Sequence, residues 1–61
     1  MTILESVFCR YADGVPIHRV TIQVDTANDL PTPQNNWEPG SICIIAADHS
    51  YKRLTEQGEW V

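Results

Sequence analysis

The sequence predicts a small all-β domain, with two antiparallel β-hairpins joined by a Pro/Asn-rich loop in a small sheet or a partly open barrel. Residues 17–24 alternate strictly between two sets of side chains, as in a half-buried antiparallel strand. Residues 42–47 form a short apolar run that is typical of a buried strand. Residues 25–40 carry three prolines, which leave no room for a long helix. We expect one domain of 61 residues, with hairpins at 4–24 and 41–61 and a linker at 25–40.

The first hairpin is predicted from β-compatible residues and one strong turn. Residues 4–11 are rich in apolar and aromatic types that favour strands. Asp13 and Gly14 readily adopt the positive φ angles of a tight hairpin turn. In the following strand His18, Val20, Ile22 and Val24 share one face. This set is the predicted core face.

The linker is predicted to be irregular. Residues 25–30 can form one helical turn, with Asp25 or Thr26 as its N-cap, before Pro31 ends it. Trp37 stands in the polar stretch that follows. An indole ring in such a loop must cover apolar surface, either in its own core or on a partner.

The second hairpin is predicted from residues 42–47, which are apolar on both faces. This pattern indicates a central strand or a strand covered by a neighbouring subunit. A turn at residues 48–50 leads to a partner strand at 51–55. Gly58 then turns the chain so that Trp60 and Val61 can return to the sheet.

Size and charge limit the function classes. A chain of 61 residues buries only about 60% of its unfolded surface, so we expect partner chains to supply part of the stability. A net charge of −4 with only four basic residues argues against nucleic acid as a partner. The sequence shows no signal-peptide pattern and no apolar run near the roughly 20 residues of a membrane span. We expect synthesis in the cytoplasm, with reduced cysteines and no membrane partner.

The residues that could carry chemistry are poorly spaced for it. Cys9, His18, Cys43 and His49 lack the short paired spacing of a zinc site, so no metal and no other cofactor is predicted. A disulfide between Cys9 and Cys43, or between subunits, stays open for a protein that leaves the cell. Ser50 follows His49 directly, and neighbours in a turn point apart, so we expect no nucleophilic site and no enzymatic activity.

Five aromatic residues are many for so small a core. We expect Phe8 and Trp60 to belong to the core. Trp37 and Tyr51 are predicted to anchor an interface, where aromatic side chains are enriched. Stacking on a sugar by Trp37, Tyr51 and Trp60 is an alternative use of the same rings.

The second half of the chain resembles a known module. Its motifs are Asp29-Leu30-Pro31, Gly40-Ser41 before the apolar strand, Tyr51-Lys52-Arg53-Leu54, and Gly58-Glu59-Trp60-Val61. Together they resemble a small β-rich module of virion proteins of tailed bacteriophages, found in head, neck and tail components. The resemblance covers roughly the C-terminal half and implies a structural role without catalytic residues. The first hairpin resembles no such module.

These observations predict a non-enzymatic structural component of a tailed-phage virion. It would dock on capsid, neck or tail proteins as a decoration or accessory subunit, as a homo-oligomer or in many copies on a symmetric lattice. The predicted partner-binding residues are Trp37, Tyr51 and Arg53, together with Val7, Cys9 and Tyr11 on a first strand that augments a partner sheet. Two alternatives are a phage-encoded cytoplasmic inhibitor of a host protein and a carbohydrate-binding β module.

Overall fold

The computed structural model describes all 61 residues and contains one four-stranded sheet. The strands are β1 (Thr2–Ala12), β2 (Val15–Val24), β3 (Ile42–Ile45) and β4 (Ser50–Arg53), and a single 3₁₀ turn covers Ala27–Asp29. Their order in the sheet is β1-β2-β3-β4. β1–β2 and β3–β4 are antiparallel hairpins, as predicted, and β2 and β3 pair in parallel. The sheet is open, and the predicted all-β class is confirmed.

The first hairpin closes on the predicted turn. Asp13 and Gly14 have φ angles of 51° and 80°, and the flanking Ala12 and Val15 are paired. These angles give the turn a twist that matches that of the flanking strands. The register of β1 against β2 shifts twice, so that Leu4 and Cys9 have no paired residue on β2. Such bulges bend a strand and increase its twist.

The linker forms the second layer of the molecule. Because β2 and β3 are parallel, the chain must travel back along β2 before β3 begins. On the way, the amide of His18 donates to the carbonyl of Asn36 at 2.9 Å, and the amide of Glu38 donates to the carbonyl of His18 at 2.7 Å. Trp37 is thereby bridged to His18, in line with the strand β3 that follows. Residues 36–38 thus lie beside β2 in the plane of the sheet, and earlier in the linker Leu30 packs against the apolar core face.

The core lies between that face and the linker. Its buried members are Val20, Ile22, Val24, Trp37, Cys43, Ile45 and Leu54, with Leu30 and Trp60 packed against them. The predicted core face of β2 is confirmed for its three aliphatic residues, while His18 is only half-buried. Cys43 is completely buried, and burial raises the pKa of its thiol. Cys9 is exposed, and both thiols are free, so the two cysteines form no disulfide with each other.

Ser41 is the one buried polar residue, and it ties three segments together. Its hydroxyl accepts a hydrogen bond from the amide of Val20 at 3.0 Å and donates one to the carbonyl of Glu38 at 2.7 Å. Its carbonyl accepts from the amide of Leu54 at 2.8 Å. A fully buried hydroxyl is tolerated here because it is fully hydrogen-bonded.

The second hairpin is shorter than predicted. β3 ends at Ile45, and Ala46 and Ala47 belong to the turn, where their amides donate to the carbonyls of Val24 and Asp25. The tight turn ends at His49, with a φ of 59°, so Ser50 begins β4 rather than closing the turn. The turn therefore begins where Ala46 and Ala47 hydrogen-bond to the end of β2, and it ends at the positive φ of His49. Strand propensity alone predicts neither position.

The C-terminal return is confirmed. Gly58 has a φ of 80°, which a residue with a side chain rarely adopts. Leu54 and Trp60 then form an antiparallel bridge, and Arg53 and Val61 exchange two backbone hydrogen bonds of 2.9 Å each. Gly58 thus brings Trp60 onto the core.

The linker begins with the predicted helical turn, capped by Thr26. The amide and the hydroxyl of Thr26 donate to the carboxylate of Asp29, at 3.3 and 3.1 Å. No helix of the structure has the length and the apolar character needed to cross a membrane.

Candidate functional site

The surface of the chain exposes more large hydrophobic residues than the core buries. Nine large hydrophobic residues are exposed, whereas eight hydrophobic residues are buried in the core. The exposed set is Met1, Ile3, Leu4, Val7, Phe8, Tyr11, Val15, Tyr51 and Val61. Seven of the nine lie in residues 1–15, on or beside β1. Exposed apolar residues concentrated along one strand, on both of its faces, indicate an interaction site.

β1 is an edge strand with both faces open. It has 11 residues, it pairs only with β2, and all of its residues except the last are exposed. Arg10 forms an ion pair with Glu38 of the linker, and the exposure of the other β1 residues shows that no layer is packed over most of the strand. Proteins protect long edge strands with lysine, proline, other charges or bulges; β1 contains no lysine or proline and carries Glu5, Arg10 and two bulges. β1 therefore has the position and the apolar surface that strand addition requires, and it carries Val7, Cys9 and Tyr11 of the predicted contact set.

Phe8 is not a core residue, contrary to the prediction. It is 49% exposed and forms an aromatic cluster at the sheet edge, with ring centroids 5.0 Å from Tyr11 and 5.8 Å from His18. The Oγ atom of Ser6 lies 3.3 Å from Nδ1 of His18 beside it. Phe8 pairs with His18 and so lies on the core face of the sheet. It is exposed because no linker residue packs over this part of β1.

The outer face of the sheet, turned away from the linker, is the second open surface. Register places Thr21, Ile42 and Arg53 in one row across the strands and Gln23, Ile44 and Tyr51 in the next. Tyr51 is 67% exposed, Arg53 is exposed, and the two isoleucines are half-buried. Ile42, Ile44, His49, Ser50 and Tyr51 line an open hollow of about 450 Å³. Two predicted contact residues, Tyr51 and Arg53, are thus brought together on one apolar surface.

A carboxylate lies in the turn beside this hollow. The hydroxyl and the amide of Ser50 donate to the Asp48 carboxylate at 2.6 and 3.1 Å. These hydrogen bonds hold the pKa of Asp48 below its ordinary value, and the bond from the Ser50 hydroxyl has the larger effect. Asp48 consequently stays ionised into the acid range and fixes the turn.

Trp37 is a core residue, which corrects its prediction as an interface anchor. Only 8% of it is exposed, and it packs against Trp60 on the linker side of the sheet. The prediction failed because the parallel course of β3 carries the linker back over the core. Trp37, Tyr51 and Trp60 therefore do not form a shared surface for a sugar, since Tyr51 lies on the opposite face.

Sequence reasoning missed Ile3, Leu4 and Phe8 as surface residues. The available signal was the apolar character of residues 3–8 on both faces of a predicted strand, in a chain with too few elements to cover both. The same criterion, applied to residues 42–47, predicted a central strand or a strand covered by a neighbouring subunit, and β3 takes the first of these positions.

A second cavity, of about 410 Å³, is lined by residues at the turn end of the first hairpin, by linker residues and by residues of the segment 54–58. Arg10, Ile17, Trp37 and Leu54 contribute to its wall. Arg10 forms an ion pair with Glu38 of the linker. The structure holds no group of three or more histidine, cysteine, aspartate or glutamate side chains that could bind a metal ion.

Comparisons of the chain with models of protein families, with curated proteins and with solved structures found no match. Function must therefore be inferred from the two open surfaces and from the motifs of residues 29–61.

Proposed function

We propose that the protein is a non-enzymatic structural subunit of a tailed-phage virion, which docks on capsid, neck or tail proteins as a decoration or accessory protein. The observation that carries this proposal is the exposure of nine large hydrophobic residues against eight hydrophobic residues in the core. A chain with so much uncovered apolar surface gains free energy by burying it on a partner. The resemblance of the motifs in residues 29–61 to a module of tailed-phage virion proteins is the support for the virion as the assembly.

The outer face is the surface that we assign to the virion partner. Tyr51 and Arg53 belong to the residue types that dominate binding energy at interfaces. They project from β4 beside the half-buried Ile42 and Ile44, so an apolar centre has polar and charged groups at its margin. The other edge of the sheet, β1, stays free for a further contact.

Quantitative mass spectrometry of purified phage particles from the strain that encodes the chain tests this function. We expect the protein in the particle at a fixed copy number, made in the host cytoplasm and recovered with the virion. Its absence from particles that contain all other structural proteins would overturn the proposal.

Substitution of the outer face tests the assigned surface. Tyr51→Ala should lower incorporation at least tenfold, as loss of one interface hot spot of about 2 kcal/mol does. Gln57→Ala is the matched control, because Gln57 is exposed in the last turn, outside the rows of the outer face. Equal incorporation of both variants would remove the outer face from the contact.

The alternative function, inhibition of a host protein, is favoured by the net charge of −4. An acidic surface can occupy a basic groove on another protein. In that case the chain would be recovered from infected-cell lysate in a complex with a host protein and would be missing from particles.

A further inference from the structure

Two opposite charges stand on one face of β1 at positions related by symmetry. Glu5, Val7 and Arg10 pair with Thr21, Arg19 and Ile17 of β2, alternate residues of that strand. Since paired residues share a face, the three β1 side chains lie on the same side of the sheet. Arg10 is five positions after Glu5, and in a regular strand this odd spacing would place them on opposite faces. The bulge at Cys9 brings them to the same face.

We propose that β1 pairs with β1 of a second copy of this chain, antiparallel, across a two-fold axis at Val7. The axis would place Glu5 opposite the partner's Arg10, and Arg10 opposite the partner's Glu5. On the other face, the same register places Ile3 opposite the partner's Tyr11. Apolar and oppositely charged cross-strand pairs both stabilise antiparallel pairing. The two four-stranded sheets become one continuous sheet, and the open edge of each chain disappears.

Charge selects this register over its neighbours. An axis at Glu5 or at Arg10 places like charges opposite each other, which is unfavourable. An axis at Ser6 or at Phe8 leaves both charges without an opposite charge across the interface. Within the chain Arg10 is already paired with Glu38, so the axis at Val7 brings a second carboxylate to Arg10 and gives Glu5 an opposite charge across the interface.

The distribution of charge also favours β1 as the surface that joins two copies. β1 carries one acidic and one basic residue, so its net charge is zero, while the whole chain carries −4. Two acidic chains repel least where each presents a neutral, apolar strand. The dimer extends the proposed function without depending on it, because self-pairing uses β1 and leaves the outer face of β4 available.

Charge exchange tests the pairing in the purified full-length chain by sedimentation equilibrium. The unmodified protein should be a dimer. Glu5→Arg alone and Arg10→Glu alone place like charges opposite each other twice, so each should dimerise roughly tenfold more weakly or worse. An equimolar mixture of the two variants restores both opposite-charge pairs across the interface, though not the Arg10–Glu38 pair within the chain, and should form a heterodimer more tightly than either variant pairs with itself. Failure of the mixture to associate, or a monomeric unmodified protein, would overturn the two-fold pairing.

A cross-link tests the axis without changing any charge. In a Cys9→Ser background, Val7→Cys places two thiols opposite each other at the axis, at a spacing that a disulfide can bridge. Oxidation should give a covalent dimer in high yield. The unmodified chain should not cross-link efficiently, because the pairing puts its two Cys9 residues about three residues apart along the interface, roughly 10 Å. Tyr51→Cys in the same background is the control for random collision. Equal yields at positions 7 and 51 would contradict the axis at Val7.

Discussion

The indole rings of Trp37 and Trp60 pack against each other, with centroids 6.2 Å apart and planes inclined by 59°. The indole N–H of Trp60 donates to the carbonyl of Pro31 at 2.9 Å. One ring comes from the linker and the other from the C-terminal return, so the pair joins the two segments that cover the sheet. In a chain with eight buried hydrophobic residues, this contact is a large part of the tertiary packing.

Truncation of Trp37 to alanine should unfold much of the protein. Truncation of a buried tryptophan to alanine costs about 3–5 kcal/mol, which equals the stability that so small a core supplies. We therefore expect Trp37→Ala to lose cooperative urea unfolding, monitored by circular dichroism. Trp60→Phe keeps an aromatic ring and loses the hydrogen bond to Pro31, so it should cost only about 1 kcal/mol. A stable, cooperatively folding Trp37→Ala variant would show that the ring is dispensable.

Among the small polar residues, Ser41 is expected to lower the stability of the protein most when it is replaced. Ser41→Ala leaves the amide of Val20 without its hydrogen-bond acceptor in a buried site, and this should cost about 1–3 kcal/mol in the free energy of unfolding. The control is Thr32→Ala in the exposed part of the linker, expected within about 0.5 kcal/mol of the unmodified protein. Urea denaturation measures both, and equal stabilities would contradict the role of the hydroxyl.

The two cysteines should differ strongly in reactivity. Cys9 is exposed, whereas Cys43 is buried with a raised pKa, so its thiolate is scarce and inaccessible. A thiol reagent at neutral pH should modify one cysteine quickly and the second at least roughly a hundredfold more slowly, through unfolding. Peptide mapping should identify the fast site as Cys9, and 6 M urea should abolish the difference. Rapid modification of Cys43 in the folded protein would show that the core opens readily.

The turn before β4 should respond to acid. The pKa of Asp48 is lower in the folded protein than its ordinary value of 3.8, because Ser50 donates two hydrogen bonds to the carboxylate. A depressed pKa means that the ionised group stabilises the fold above pH 3.8, and that this contribution is lost as pH falls through the lower, folded-state pKa. Carboxyl titration by NMR should show the low value, and Ser50→Ala should raise it. An unchanged pKa in that variant would exclude the hydroxyl as the main cause.

The elements that sequence predicted well are those that local chemistry decides. The alternation from residue 17 to residue 24 requires a strand with one buried face. Asp13-Gly14 and Gly58 are positions where the chain adopts positive φ angles, which few other residues tolerate. The predicted docking role and the phage resemblance remain predictions.

Tertiary structure alone decided the direction of β3 and the position of β1. Whether β2 and β3 run parallel depends on the path of a long linker, which is set by contacts between distant residues such as His18 and Trp37. That path buried Trp37, and it left Phe8 exposed, because no linker residue packs over that part of β1. The bulge at Cys9 placed Glu5 and Arg10 on one face, although their spacing in a regular strand predicts opposite faces. The sequence by itself determined the strands and turns, because these follow from neighbouring residues, whereas pairing, cover and register follow from contacts that the folded chain creates.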